Sequence, residues 1–164
     1  MLFELKSVFL NDGEKKELTY RLDISQIDVD GVFPFKSPVT VTAVAANRAS
    51  LVTLTLDCCF DYQRSCDRCG ELRTVEMRQS FSHKLAQTLI DEGNDDYIET
   101  PDFTLELDDV VITDILLSLP QKFLCRQDCK GLCLQCGSNL NLGDCACEKR
   151  QIDPRLEKLK QLME

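Results

Sequence analysis

Cys125-Arg-Gln-Asp-Cys129-Lys-Gly-Leu-Cys133-Leu-Gln-Cys136-Gly-Ser-Asn-Leu-Asn-Leu-Gly-Asp-Cys145-Ala-Cys147 holds six of the ten cysteines of this 164-residue chain, with only a few leucines beside them. So little apolar surface cannot offset the entropy of ordering the segment, so a covalent or metal link must hold it. Cys133-x2-Cys136 followed by Gly137 has the form of a zinc knuckle: a tight turn aims both sulfurs at one ion, and glycine accepts the backbone geometry the turn imposes. The pattern recurs upstream at Cys66-Asp-Arg-Cys69-Gly70. Two copies of a metal half-site in so short a chain predict metal binding.

Outside the cysteines the chain has the composition of a folded domain. Hydrophobic residues make up 43%, enough for a core, and the net charge of −9 argues against nonspecific attraction of the whole molecule to nucleic acid or anionic lipid. The N-terminal run Met1–Leu10 mixes charges into its apolar residues and has no secretory hydrophobic region, and no apolar run is long enough to span a bilayer. The expectation is a soluble cytoplasmic protein whose thiols stay reduced, which favours metal over disulfides for the cluster.

Periodicity predicts strands over 2–10 and 17–24, joined as a hairpin at Asn11-Asp12-Gly13. Further strands are expected from Val39, from Leu51 to Phe60 with Val52, Leu54, Leu56, Cys58 and Phe60 on one face, and from Leu72 to about Leu85. Cys66 and Cys69 then lie in the turn between two strands. A short strand over 103–107 leads into a helix capped by Asp108 or Asp109, with Ile112, Ile115, Leu116 and Leu119 inward, covering the sheet and stopped by Pro120. After the cluster, Asp153-Pro154 opens a terminal helix with Leu156, Leu159 and Met163 on a narrow stripe. The fold class expected is α+β: a mostly antiparallel, curved sheet of about six strands with a covering helix and a zinc-stabilised C-terminal tail. The expected division is a β-rich domain over 1–120 and a cysteine-rich zinc tail with a terminal helix over 121–164.

Charge is unevenly placed. Residues 1–120 carry 11 bases against 22 acids, whereas 121–164 carry 8 against 6. Arg64, Arg68, Arg126, Lys130, Lys149 and Arg150 flank the cysteines; they offset the negative charge of thiolate-bound zinc, and Arg64, Arg68, Arg126 and Lys130 are also candidates for RNA phosphate contact. Stacking on bases would fall to Phe123 and Tyr62. From 85 to 121 there are ten acids and no Lys or Arg, so this stretch is either a solvated loop with helix-capping acids or a docking face for a basic partner, centred on Asp95, Asp96 and Glu99.

Catalysis finds little support. His83, the single histidine, lies in an expected strand without a nucleophile arranged beside it. The His-x-Glu of a zinc deaminase is missing, and thioredoxin-like chemistry needs Cys-x2-Cys opening a helix, whereas both motifs here run into glycine. All-cysteine zinc sites are closed and structural, so a non-enzyme is expected.

The knuckle Cys66-Asp-Arg68-Cys69, the acidic segment ending Ile-Leu-Leu-Ser-Leu-Pro120, the run Cys125-x3-Cys129-Lys-Gly-Leu-Cys133-x2-Cys136-Gly-x-Asn-Leu-Asn141 and the closing Ile-Asp-Pro-Arg-Leu156 together resemble the YceD family, the large ribosomal RNA subunit accumulation proteins. The resemblance runs from about residue 50 to the end. It implies a bacterial cytoplasmic protein or an organellar relative, without enzymatic activity, needed for large-subunit ribosomal RNA levels or processing. Its partners would be pre-ribosomal large-subunit RNA or a basic large-subunit ribosomal protein, with no small-molecule substrate and no membrane. A zinc-ribbon interaction module in transcription or signalling is the alternative.

Two zinc ions are expected. Reach separates the cysteines: Cys133, Cys136, Cys145 and Cys147 can close locally across eight intervening residues, leaving Cys125 and Cys129 to meet Cys66 and Cys69. Family branches with a His/Cys pair in place of Cys125 and Cys129, and without the later cysteines, imply the same division. The competing arrangement is one ion on four of the six late cysteines, with Cys66 and Cys69 idle.

Overall fold

The computed structural model describes residues 1–88 and 96–147. They fall into two compact units, one made of 1–64 and 72–123, the other of 65–71 with the described residues from 124. The expected terminal helix, with Asp153-Pro154 and the stripe of Leu156, Leu159 and Met163, lies outside the described residues, as do Asp91, Glu92, Asp95, Lys149 and Arg150.

The first unit is mostly strand. β1 (Leu2–Glu4) is followed by α1 (Lys6–Leu10), β2 (Lys15–Leu22), β3 (Val39–Arg48), β4 (Leu51–Ser65), β5 (Leu72–Ala86), β6 (Tyr97–Glu99), β7 (Thr104–Glu106) and α2 (Leu107–Ser118). Strands β2-β3-β4-β5-β6 form one curled sheet in that order, and β1 pairs with β7 in a separate two-stranded sheet. The five-stranded sheet is mixed. β2–β3 and β3–β4 are antiparallel, and the six residues joining β4 to β5 are too few for a parallel crossover. β6, however, runs parallel to β5, with Leu85 opposite Ile98, so the expected mostly antiparallel sheet is mixed at this edge.

Strict alternation drives the central pair. Val39, Val41, Ala43 and Ala45 of β3 and Val52, Leu54, Leu56, Cys58 and Phe60 of β4 are all buried. In register, Ala43 faces Leu56 and Ala45 faces Leu54, so small side chains on one strand accept large ones on the next. The turn between them is tight: Ala49 and Ser50 both have positive φ, as a two-residue turn matching the strand twist requires. Phe35 then meets Phe60 edge-on and Tyr62 at a tilt, and Tyr62 meets Phe123 edge-on, closing the far end of β4 with aromatic rings.

Three local expectations are corrected. Residues 2–10 are not one strand, and no hairpin forms at Asn11-Asp12-Gly13; β1 pairs with β7, and Lys6–Leu10 is helical. The reason is spacing: Leu5, Val8 and Phe9 share a face only at helical periodicity, and Leu5 and Val8 are both fully buried. Asn47, an inward position of β3, secures that helix by donating from its side chain to the Val8 carbonyl at 2.9 Å. In α2 the inward residues are Leu107, Val111 and Ile115, one turn apart, with Ile112 and Leu119 partly buried; Leu116 is exposed, contrary to expectation. Asp108 and Asp109 sit in the first turn, where the helix dipole favours acids, and Glu106 occupies the cap without a side-chain bond. His83 of β5 meets Asp114 of α2 at 2.7 Å, which ties helix to sheet.

Among the described residues no helix is long and apolar enough to cross a membrane.

Burial ranks the core. Leu56→Ala removes a fully buried side chain and should destabilise the first unit by about 2–5 kcal/mol in denaturant unfolding. Leu117→Ala on the outer face of α2, where the side chain is 81% exposed, should stay within about 0.5 kcal/mol. Equal destabilisation by the two variants would contradict this account of the core.

Candidate metal centres

The second unit is built from two knuckles with one backbone plan. In the first, the Cys66 carbonyl accepts from the Gly70 N–H at 2.8 Å and the Cys66 N–H donates to the Glu71 carbonyl at 2.9 Å. In the second, the Cys133 carbonyl accepts from Gly137 at 2.9 Å and the Cys133 N–H donates to Ser138 at 2.8 Å. The turn closes only if the residue after the second cysteine enters the left-handed region. Gly70 has φ +70° and Gly137 φ +73°, a conformation a side chain would strain.

Eight thiols assemble into two groups of four: Cys66, Cys69, Cys125 and Cys129, and Cys133, Cys136, Cys145 and Cys147, the sulfurs of each group lying within 4.8 Å of one another. Cys66 and Cys129 sulfurs are 3.8 Å apart, and Cys69 and Cys125 sulfurs 3.6 Å. A disulfide requires about 2.05 Å, and all ten cysteines are free. Four sulfurs each about 2.3 Å from a central zinc ion in a tetrahedron would stand about 3.8 Å apart, so the observed separations fit that donor set. Both groups could hold a metal ion.

Burial separates the two. Cys66, Cys69 and Cys129 are buried with Leu124 packed against them, whereas Cys136 is exposed and Cys133, Cys145 and Cys147 are half-buried. Electrostatics treats them alike. Burial pushes the Cys66 thiol up, but backbone N–H groups of Cys125, Arg68 and Cys69 outweigh it and bring it to about 6. The Ser138 hydroxyl and N–H bring Cys136 to about 6 as well, its sulfur lying 3.1 Å from that hydroxyl. Burial and neighbouring thiols push Cys125 up to about 12; neighbouring Cys136 and burial do the same to Cys147. In each group two thiols are drawn down, Cys66 and Cys129 or Cys133 and Cys136, and the other two are pushed up, so that a bound cation would let the remaining protons leave.

Asn141 occupies a place that spacing alone did not single out. Its Nδ2 donates to the Cys129 sulfur at 3.3 Å, and its Oδ1 accepts from the Lys130 backbone N–H and the Arg126 guanidinium, both at 2.8 Å. The Arg68 guanidinium donates to the Cys129 carbonyl at 2.7 Å. The available signal was an Asn, able to donate and accept at once, within the short loop between Cys136 and Cys145.

The other candidates are dispersed. Arg68, Arg126 and Lys130 are exposed around the first group of thiols, and Arg126 also lies 3.5 Å from Asp128. Arg64 belongs to the first unit, 3.8 Å from Asp30. Asp96 and Glu99 are exposed beside and on β6, while Asp95 lies outside the described residues. Tyr62 and Phe123, the two aromatics placed for base stacking, are buried against each other, so neither can stack on a base. Cys58 is buried in the sheet core, and burial pushes its thiol up to about 12. Cys59, half-buried, lines an open groove with Thr40, Thr42 and Arg78.

The chain is 33% identical over 89 residues to the "Uncharacterized protein Rv2926c" of Mycobacterium tuberculosis (strain ATCC 25618 / H37Rv), covering 54% of this chain and 42% of that protein. It is 32% identical over 66 residues to the "Uncharacterized protein ML1660" of Mycobacterium leprae (strain TN), covering 40% of this chain and 30% of that one. The chain therefore spans under half the length of these curated relatives. No solved structure matches it. The family described as "Large ribosomal RNA subunit accumulation protein YceD" matches residues 54–163, which take in both knuckles and all eight clustered cysteines, and the chain belongs to that family.

Proposed function

We propose that the protein is a non-catalytic, cytoplasmic ribosome-assembly factor needed for the accumulation of large-subunit ribosomal RNA, and that two zinc ions hold the surface with which it engages pre-ribosomal particles. The family description supports the role. The observation that carries the mode of action is the exposure of Arg68, Arg126 and Lys130 around a group of four thiols, three of them buried. Zinc with four thiolates would carry a net charge of −2, which these bases offset; their exposure leaves their outer faces available to phosphate. With Tyr62 and Phe123 buried, contact would follow the RNA backbone and shape rather than stacked bases. In this reading the zinc ions supply structure, and the chain's residues do the binding.

A second reading rests on Asp96 and Glu99, which are exposed on the edge of the five-stranded sheet and would suit a basic ribosomal protein. An edge strand with acidic side chains resists self-association while offering a charged face.

Anaerobically purified protein should contain close to two zinc ions per chain. With zinc in excess, Cys66→Ser and Cys136→Ser should each remove one and leave the other. One ion in the native chain would favour the single-site arrangement, and none would end the zinc reading.

In cells lacking the gene, large-subunit ribosomal RNA should fall and be restored by the native chain. Arg126→Glu with Lys130→Glu should restore it poorly, and the log–log salt slope of RNA binding should drop by about one for every phosphate-binding base removed. Asp96→Lys with Glu99→Lys should leave that slope unchanged and weaken particle association only if the acidic edge docks a protein. Unchanged ribosomal RNA and no sedimentation with large-subunit precursors would favour an interaction module in transcription or signalling instead.

A further inference from the structure

The loop from Gly137 to Asp144 joins the two halves of the second group of thiols, and it also reaches the first. It is fastened to the start of the second knuckle by three contacts: Cys133 N–H to the Ser138 carbonyl, Leu140 N–H to the Gly131 carbonyl at 2.9 Å, and a bridge pairing Leu132 with Asn139. From that loop the side chain of Asn141 enters the surroundings of Cys129. The amide uses both ends: Nδ2 donates to the Cys129 sulfur and to Asn139 Oδ1, while Oδ1 accepts from Lys130 and Arg126. A flipped amide would set its oxygen against the sulfur and its NH2 against two donors, so the network admits one orientation.

We propose that Asn141 is a positioning residue through which the second metal centre sets the metal affinity of the first. This rests on the reading that both groups of thiols hold a metal. Closing the second group around an ion fixes the 137–144 loop, and the fixed loop delivers an N–H to the Cys129 thiolate. That bond orients the sulfur and offsets part of its charge in a group where four thiolates must coexist. When the second centre is empty the loop is held only by its backbone contacts, and the sulfur loses a rigid donor. Removing an outer-shell partner of this kind lowers metal affinity by about 10–100-fold. The coupling is reciprocal, since filling the first centre must favour the loop conformation that the second requires.

The discriminating variant is Asn141→Asp in the full chain. It keeps the shape and the oxygen that accepts from Lys130 and Arg126, but it places a carboxylate oxygen where the N–H faces sulfur. Zinc affinities are read by chelator competition, with Cys66→Ser and Cys136→Ser used to assign each centre. Asn141→Asp should weaken the first centre by about 10–100-fold and still load two zinc ions in excess metal. Cys136→Ser should weaken the first centre comparably, and the two changes combined should be far less than multiplicative. An affinity of the first centre within twofold of native in Asn141→Asp, or effects that multiply, would overturn the proposal.

A second measurement needs no variant at position 141. In cobalt-loaded native chain, the sulfur-to-metal charge-transfer band should differ from the sum of the bands of Cys66→Ser and Cys136→Ser. A matching sum would overturn the coupling. Failure of the two-metal reading is separate: native chain would then load fewer than two ions.

Discussion

Four thiol sulfurs gathered within 4.8 Å of one another cannot all give up their protons unless a cation takes their place, and the second unit depends on how that repulsion is relieved. Among the described residues its segments bury few hydrophobic side chains besides the cysteines, and Leu124 is partly buried against them. The backbone bonds at Gly70 and Gly137 set the sulfurs in position, and the opposed shifts of Cys66 and Cys125, or of Cys136 and Cys147, reflect how one thiolate disfavours the next. Structural zinc contributes about 10–16 kcal/mol in small peptides, comparable with the roughly 5–15 kcal/mol of a whole domain. For so small a unit, a bound metal would be the main source of order.

The first unit is held differently. Its stability lies in the alternation of β3 and β4, the inward stripe of α2 and the aromatic stack from Phe35 to Phe123. None of these needs a thiolate, and Cys58 serves there as a small apolar side chain whose burial disfavours ionisation. One polypeptide thus combines an apolar core with a thiol-built one, and the residues offered for binding lie on both.

What could be read from the residues follows from how local each signal is. The strand carrying Val52, Leu54, Leu56, Cys58 and Phe60 was legible because alternation is a property of the strand itself. The two thiol groups match what loop length permits, since eight residues can return Cys145 and Cys147 to the second knuckle. The parallel pairing of β6 was hidden because three residues carry no direction, and their partner is set by a connection. In the N-terminal segment a mixed apolar run fits strand or helix; Leu2–Glu4 is claimed by pairing with β7 across some hundred residues, and Lys6–Leu10 by the helical spacing of Leu5, Val8 and Phe9. Val111 outranked Leu116 on α2 because packing against the sheet, not hydrophobicity alone, chose the inward stripe. Asn141 stood in the sequence only as the last residue of a motif, because a hydrogen bond to sulfur leaves no mark in spacing.

The central claim is that metal, and not apolar burial, orders residues 65–71 and 124–147 while the sheet stands on its own core. Amide hydrogen exchange on zinc-free and zinc-loaded full-length chain tests it most directly. Without zinc, the amides of Gly70, Cys133, Gly137 and Leu140 should exchange freely while those of β3 and β4 stay protected. Zinc at two equivalents should protect the former and leave the latter nearly unchanged. Protection of the knuckle amides without metal, or loss of β3 and β4 protection together with them, would contradict the account.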